Sequence, residues 1–200
     1  RILGSLAVLA AAAFAAGCGG GERQDADEPE GTYKVEVTEA SFPGEQKLAK
    51  RSTLRITVRN ADTKVIPNIA VTLRGLERRV DDPDLADPRR PVFALNGEPV
   101  EIGGLPESRP QTPRGGDTAY VDTWALGELR PGQSRTFEWS VTAVEAGPYK
   151  LTYEISAGLD GKAKAVDRSG QTPRGVFTGT ISDEPPDARV AADGRTVVRE

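Results

Sequence analysis

RTFEWSVTAV (Arg135–Val144) is followed, across EAGP (Glu145–Pro148), by YKLTYEIS (Tyr149–Ser156). In the first run Phe137, Trp139 and Val141 alternate with Glu138, Ser140 and Thr142. In the second, Tyr149, Leu151, Tyr153 and Ile155 alternate with Lys150, Thr152 and Glu154. A period of two puts all the apolar side chains of a strand on one face, so both runs read as strands with one buried side, joined at a Gly-Pro corner. Working outward, the same alternation recurs at Tyr33, Val35 and Val37, at Leu54, Ile56 and Val58, and at Ile69, Val71 and Leu73. Turn signals stand between the runs: RNAD (Arg59–Asp62), RPGQ (Arg130–Gln133) and LDGK (Leu159–Lys162). Beyond the first eighteen residues no segment sustains a helical period. Many short alternating strands with regular turns predict an antiparallel sandwich or barrel, with Trp139 inward between its sheets.

Two longer blocks carry a family resemblance. LRITVRNADTKVIPNIAVTL (Leu54–Leu73) and LRPGQSRTFEWSVTAVEAGPYKLTYEISAG (Leu129–Gly158) resemble bacterial immunoglobulin-like domains of the cell-adhesion-related type. In those, a strand ends in an Asn-containing turn, a Pro-Gly turn starts the next pair, and a Gly-containing corner separates two late strands. The resemblance covers residues 32–75 and 117–182. It implies an all-β, antiparallel immunoglobulin-like sandwich over residues 32–182, in a surface lipoprotein; separately, the excess of Arg over Lys and the abundance of Ala, Gly, Asp and Pro look like a high-GC bacterial genome. It implies no activity, because this sandwich hosts many unrelated functions. Two features depart from the antibody pattern: there is no pair of cysteines for a disulfide, and a long insertion, residues 75–116, separates the blocks. Within the insertion only PVFAL (Pro91–Leu95) reads as a strand, and connections this long are usually functional or mobile.

The chain begins RILGSLAVLAAAAFAAGC (Arg1–Cys18). The uncharged run Ile2–Ala16 falls short of the roughly 20 apolar residues that span a bilayer, and it reads as the hydrophobic region of a secretory signal. Ala15, Ala16, Gly17 and Cys18 resemble a lipobox, whose Cys is fatty-acylated, as with palmitate, and becomes the mature N-terminus. The usual Leu three places before that Cys is Ala15 here, which leaves an ordinary cut near Ala15 or Ala16 as the alternative. Cys18 is the one Cys of the chain, and an odd thiol in a secreted protein calls for a role such as lipidation. The expectation is a signal peptide over residues 1–17, lipidated Cys18 with a flexible Gly-rich, acidic tether over residues 18–31, and a lipid-anchored domain on the extracytoplasmic face of the cell membrane. Residues 183–200 are expected to form a C-terminal hairpin about Asp193-Gly194 or a tail.

Composition removes most chemistry. The chain has no His and a single Cys, so Ser-His-Asp and Cys-His catalysis, cupredoxin-type copper sites and the common zinc sites are excluded. No cofactor is expected. The formal net charge of −4 argues against nucleic acid. What remains are candidates. DDPDLAD supplies Asp81, Asp82, Asp84 and Asp87 as oxygen ligands for calcium, against a solvated acidic loop beside Arg89 and Arg90. Tyr120 and Trp124 form either an exposed platform for sugar or peptide or a cap over the core end. QTPRG occurs at Gln111–Gly115 and again at Gln171–Gly175, and TPRG fits a type I turn leading into a strand. Arg114 and Arg174 at one end of the sandwich would make a cationic rim for carboxylate or phosphate. Strand parity instead puts them at opposite ends, more than about 20 Å apart. The function expected is a non-catalytic binding or structural role in the cell envelope, with an envelope protein or a glycan as partner. The alternatives are an accessory subunit that docks an envelope protein or transporter through the 75–116 insertion, and, of another class, a small carboxylate-only hydrolase.

Overall fold

The computed structural model describes residues 27–81, 84, 86–96, 100–102, 122–185, 188–193 and 195–199. Alternation becomes strand wherever it was read. The long strands are β1 (Gly31–Ser41), β3 (Arg51–Asn60), β10 (Ser134–Ala143), β11 (Gly147–Ser156) and β13 (Arg174–Ser182). Shorter ones are β2 (Glu45–Lys47), β4 (Ala70–Arg74), β9 (Thr123–Ala125) and β12 (Ala163–Val166). Two sheets face each other. One runs β12-β1-β3-β10, with β7 (Phe93–Leu95) and β8 (Val100–Ile102) both pairing β10; the other runs β2-β13-β11-β4-β9. Successive strands β9, β10 and β11 switch sheets, so the order is that of an immunoglobulin-like sandwich and not up-and-down.

Burial drives the pairing. Leu54, Ile56 and Val58 of β3 lie opposite Trp139, Phe137 and Arg135 of β10 in register. Val71 and Leu73 of β4 lie opposite Ile155 and Tyr153 of β11. Leu54, Ile56, Val58, Phe137, Trp139, Val71, Leu73 and Ile155 are all fully buried, at 0% exposure. At one end of this core Phe42, Phe93 and Tyr149 meet edge to face, with ring centroids 5.2–5.6 Å apart.

The sheets are mixed, which corrects the purely antiparallel expectation. β12 runs parallel to β1 and β2 parallel to β13. Both are edge strands of three or four residues whose direction is fixed by how the preceding chain arrives, and alternation carries no information on direction. The insertion is less irregular than expected. β5 (Glu77–Arg79) and β6 (Arg89–Pro91) form a hairpin, and β7 and β8 extend the first sheet. Beyond the sandwich, β14 (Ala188–Val190) and β15 (Val197–Arg199) pair as a separate hairpin. Its loop is longer than two residues. Asp193 organises it by accepting hydrogen bonds from the amides of Arg195 and Thr196 (both 2.9 Å) and from the Thr196 hydroxyl (2.5 Å), which holds its carboxyl down at about 2.

The second QTPRG is not a turn. Asp167 and Gly170 make the reversal first: the Asp167 carboxylate accepts from the amides of Ser169 and Gln171, and Gly170 sits at φ +81°. Pro173 then already lies on the ladder, its carbonyl accepting from Ile155 N at 2.9 Å, and Arg174 opens β13. Gly175 and Gly179 have a separate reason to be glycine. They face inward opposite Tyr153 and Tyr149 in register, and a Cβ at either would overlap the facing tyrosine; at Gly179 it would also overlap the main-chain carbonyl of Gly44. Gly179→Ala is therefore expected to destabilise the fold by about 1–3 kcal/mol, because backbone cannot yield as a side-chain tip does. An unaltered urea midpoint in that variant would contradict the packing.

Candidate functional site

Inward alternation on the second sheet dictates what its outer face presents. With Tyr149, Leu151, Tyr153 and Ile155 inward, β11 turns Lys150, Thr152, Glu154 and Ser156 outward. β13 likewise presents Arg174, Val176, Thr178 and Thr180, and β4 presents Thr72 and Arg74. Register then aligns these side chains in rows. Thr72, Glu154 and Arg174 form one row across the three strands; Arg74, Thr152 and Val176 form the next. Thr72 is tied to Thr123 of β9 by a hydroxyl–hydroxyl hydrogen bond of 2.9 Å. A recess of about 310 Å³ opens between Arg74, Arg174, Glu154 and Tyr153. A second, of about 270 Å³, continues from Thr72 and Glu154 to the loop at Gly158–Gly161.

The two outer faces differ in their charge pairing. On the first sheet, Arg55 of β3 is bound to Glu138 directly opposite (2.5 Å) and lies 3.8 Å from Glu39; Arg59 pairs with Glu36 at 3.5 Å, and Arg168 joins the same carboxylate at 2.7 Å. On the second sheet, Arg74 and Arg174 are exposed, and among the described residues neither makes an ion pair. One strand separates them, which by strand spacing and rise sets their backbones roughly 10–12 Å apart. Arginine side chains rooted at that spacing on one face are long enough to converge on one anion placed between them. Tyr153 also borders this recess, but its side chain points inward, only 9% exposed, and burial pushes its hydroxyl above the usual phenol range. Past Arg74, Asp122 is also raised from its ordinary value, first by burial and then by the nearby Glu77 carboxylate.

The residues singled out from the sequence fare unevenly. Arg174 belongs to this face. Its supposed companion Arg114 lies outside the described residues, and so does the distance between them; the second cation on the face is Arg74. The pattern Ile69-Val71-Leu73 already turned Arg74 outward, but only cross-strand register brings it to Arg174. Trp124 is 8% exposed and packs edge-on against Trp139, with centroids 5.5 Å apart. It is a core cap, and the exposed-platform reading is corrected for it; Tyr120 lies outside the described residues. β9, which carries Trp124, starts at Thr123, next to Asp122 at φ +62°. Of the acidic loop, Asp87 is spent on Arg89, accepting from its amide at 2.9 Å and from its guanidinium at 3.3 and 3.4 Å, which lowers its carboxyl. Asp82 lies outside the described residues, and among those described no three carboxylates, Asp81, Asp84 and Asp87 included, gather as a metal site. Cys18 also lies outside them.

No family model and no curated protein matches the chain. Solved structures do resemble it in architecture. The CARDB domain of the PF1109 protein from Pyrococcus furiosus is similar over 76% of this chain and 93% of its own, at 11% identity and a TM-score of 0.40. PapD-like domain 7 of human CEP192 is similar over 76% and 87%, at 14% identity and a TM-score of 0.40. The alpha-2-macroglobulin of E. coli is similar over 80% of this chain and 8% of that one, at 16% identity and a TM-score of 0.41. The order of its own two facing sheets makes the fold an immunoglobulin-like β-sandwich. Likeness at this level carries no ligand, partner or activity with it.

Proposed function

We propose that the protein is a lipid-anchored, extracytoplasmic immunoglobulin-like domain, without catalytic activity, that binds an anionic group of an envelope protein or glycan through the outer face of its second sheet. The observation that carries the reading is the contrast between two pairs of outward arginines: Arg55 and Arg59 on the first sheet are matched by carboxylates, whereas Arg74 and Arg174 on the second flank a recess without ion-pair partners among the described residues. Planar guanidinium groups suit carboxylate and phosphate, and the threonine rows beside them supply hydroxyl donors and acceptors. The absence of His from the whole chain supports binding over catalysis. The lipobox-like end at Cys18 supports the anchor.

Two measurements test this. The double charge reversal Arg74→Glu, Arg174→Glu should abolish capture of the partner from detergent-solubilised envelope while leaving the urea midpoint near that of the parent, because both side chains are exposed. Equal capture by the two proteins would remove this face from the proposal. Deleting residues 76–116 would be a poor substitute, since β7 and β8 complete the first sheet. Independently, Cys18→Ser should release the protein from the membrane fraction and abolish labelling by a radioactive fatty acid. Unlabelled parent protein beginning at Ala16 or Gly17 would refute the anchor.

A further inference from the structure

The acidic stretch ahead of β1 was expected to hang free as tether, but its last residues are part of the fold. Glu28 reaches across to the loop between β11 and β12, and its carboxylate accepts three main-chain hydrogen bonds there. Leu159 N and Asp160 N donate to Oε2 at 2.5 and 2.7 Å, and Ala163 N donates to Oε1 at 2.6 Å. Amides converging from one short loop form a nest, a concave anion site of backbone dipoles, and charge-assisted bonds of this length are about twice as strong as neutral ones. The nest is shaped for its occupant. Position 158 is glycine, and a Cβ there would overlap the Glu28 carboxylate; Gly161 takes φ +78°, which turns the loop back towards Ala163. Leu159 and Ala163 are 9% and 2% exposed, so the amides are held in a covered position. Immediately downstream, Gly31 N donates to Lys162 O at 3.1 Å and the parallel ladder of β1 and β12 begins. The spacing from Glu28 to this ladder sets the reach of its side chain into the nest.

We propose that the Gly158–Ala163 loop is a carboxylate-binding site for a glutamate side chain on an extended acidic peptide, and that the chain's own Asp27–Glu30 segment is its resident ligand, latching the start of the domain onto the sandwich. The same loop walls the recess of about 270 Å³ beside Thr72 and Glu154, so the latch also fixes one edge of the outer face. The inference stands on the folded domain and is independent of the membrane anchor and of any partner at Arg74 and Arg174.

Amide hydrogen exchange by NMR on the full chain tests it. Glu28→Ala should speed exchange of the Leu159, Asp160 and Ala163 amides by roughly tenfold or more, as loss of charged hydrogen bonds implies, with little change in β3 and β10. Acetate, or a peptide of the sequence DADEPEG (residues 25–31), should then restore protection at those three amides in Glu28→Ala and leave the parent unchanged, whereas the peptide with Gln in place of Glu28 should not. Unchanged exchange in Glu28→Ala would overturn the latch. Faster exchange that neither acetate nor the peptide reverses would overturn the binding site. If Glu28→Ala loosens the whole sandwich, the isosteric Glu28→Gln decides: loss confined to the three amides upholds the proposal, and parental protection sinks it.

Discussion

Trp139→Ala lowers stability by about 3–5 kcal/mol, the range for removing a large buried aromatic without collapse of the surrounding core. The ring is 0% exposed. Phe137 stacks on it at 5.7 Å with the planes 9° apart, and Trp124 meets it edge-on at 5.5 Å from the other sheet. Both contacts are lost together in the alanine variant, and Trp124 loses the surface it caps. Among the described residues the indole Nε1 finds no acceptor, so it is the volume of the ring and not its N–H that stabilises the core. Trp139→Phe should therefore cost well under the alanine variant, because the unpaired donor disappears with part of the ring. Urea denaturation of the three proteins checks both statements, and equal midpoints for the parent and Trp139→Ala would place the ring outside the core.

The second large effect is expected at Asn60, a fully buried polar residue at the end of β3. Its Nδ2 donates to Leu129 O at 2.7 Å and Lys64 O at 2.9 Å, and its Oδ1 accepts from Asp62 N at 2.8 Å. One side chain thus holds the RNAD turn closed and ties it to the chain entering the Pro-Gly turn, where Gly132 N also donates to Asn60 O. Asn60→Ala breaks all three side-chain bonds in a site closed to solvent and should cost about 2–3 kcal/mol. Asn60→Asp should cost more, since a carboxylate would face two carbonyl oxygens it cannot bond. The comparison separates a hydrogen-bonding role from mere volume: if Asn60→Asp were the milder of the two in urea, the side chain would not be donating.

These two residues mark how far the sequence could be read. Trp139 was legible because burial on a strand has a period of two, and Phe137-Trp139-Val141 displays it over a single ten-residue strand. Asn60 was legible only as part of a turn signal. Nothing local states that its amide reaches position 129, sixty-nine residues on. The second TPRG is not a turn for a related reason, the first lying outside the described residues: Pro with Gly two places on suits a type I turn, but it equally suits a strand entry where Pro offers only its carbonyl and Gly yields to a tyrosine ring. The choice was made by Asp167 and Gly170 upstream and by Tyr153 across the sheet. Trp124 shows the same limit, since whether it is a platform or a cap is settled only by its packing on Trp139 of the other sheet.

By itself, then, the sequence determined the class of fold, the inward face of four of the five long strands, and, through the lack of His, the chemistries closed to this chain. All of these depend on residue type and short periods, which neighbouring residues carry. Tertiary structure alone decided that two edge strands run parallel, that Arg74 and Arg174 share an outer face, and that Glu28 is held by amides from residues 159–163. Each of these rests on register or loop closure between segments far apart in the chain, where backbone groups that look alike in any sequence become a specific site only through their arrangement in space.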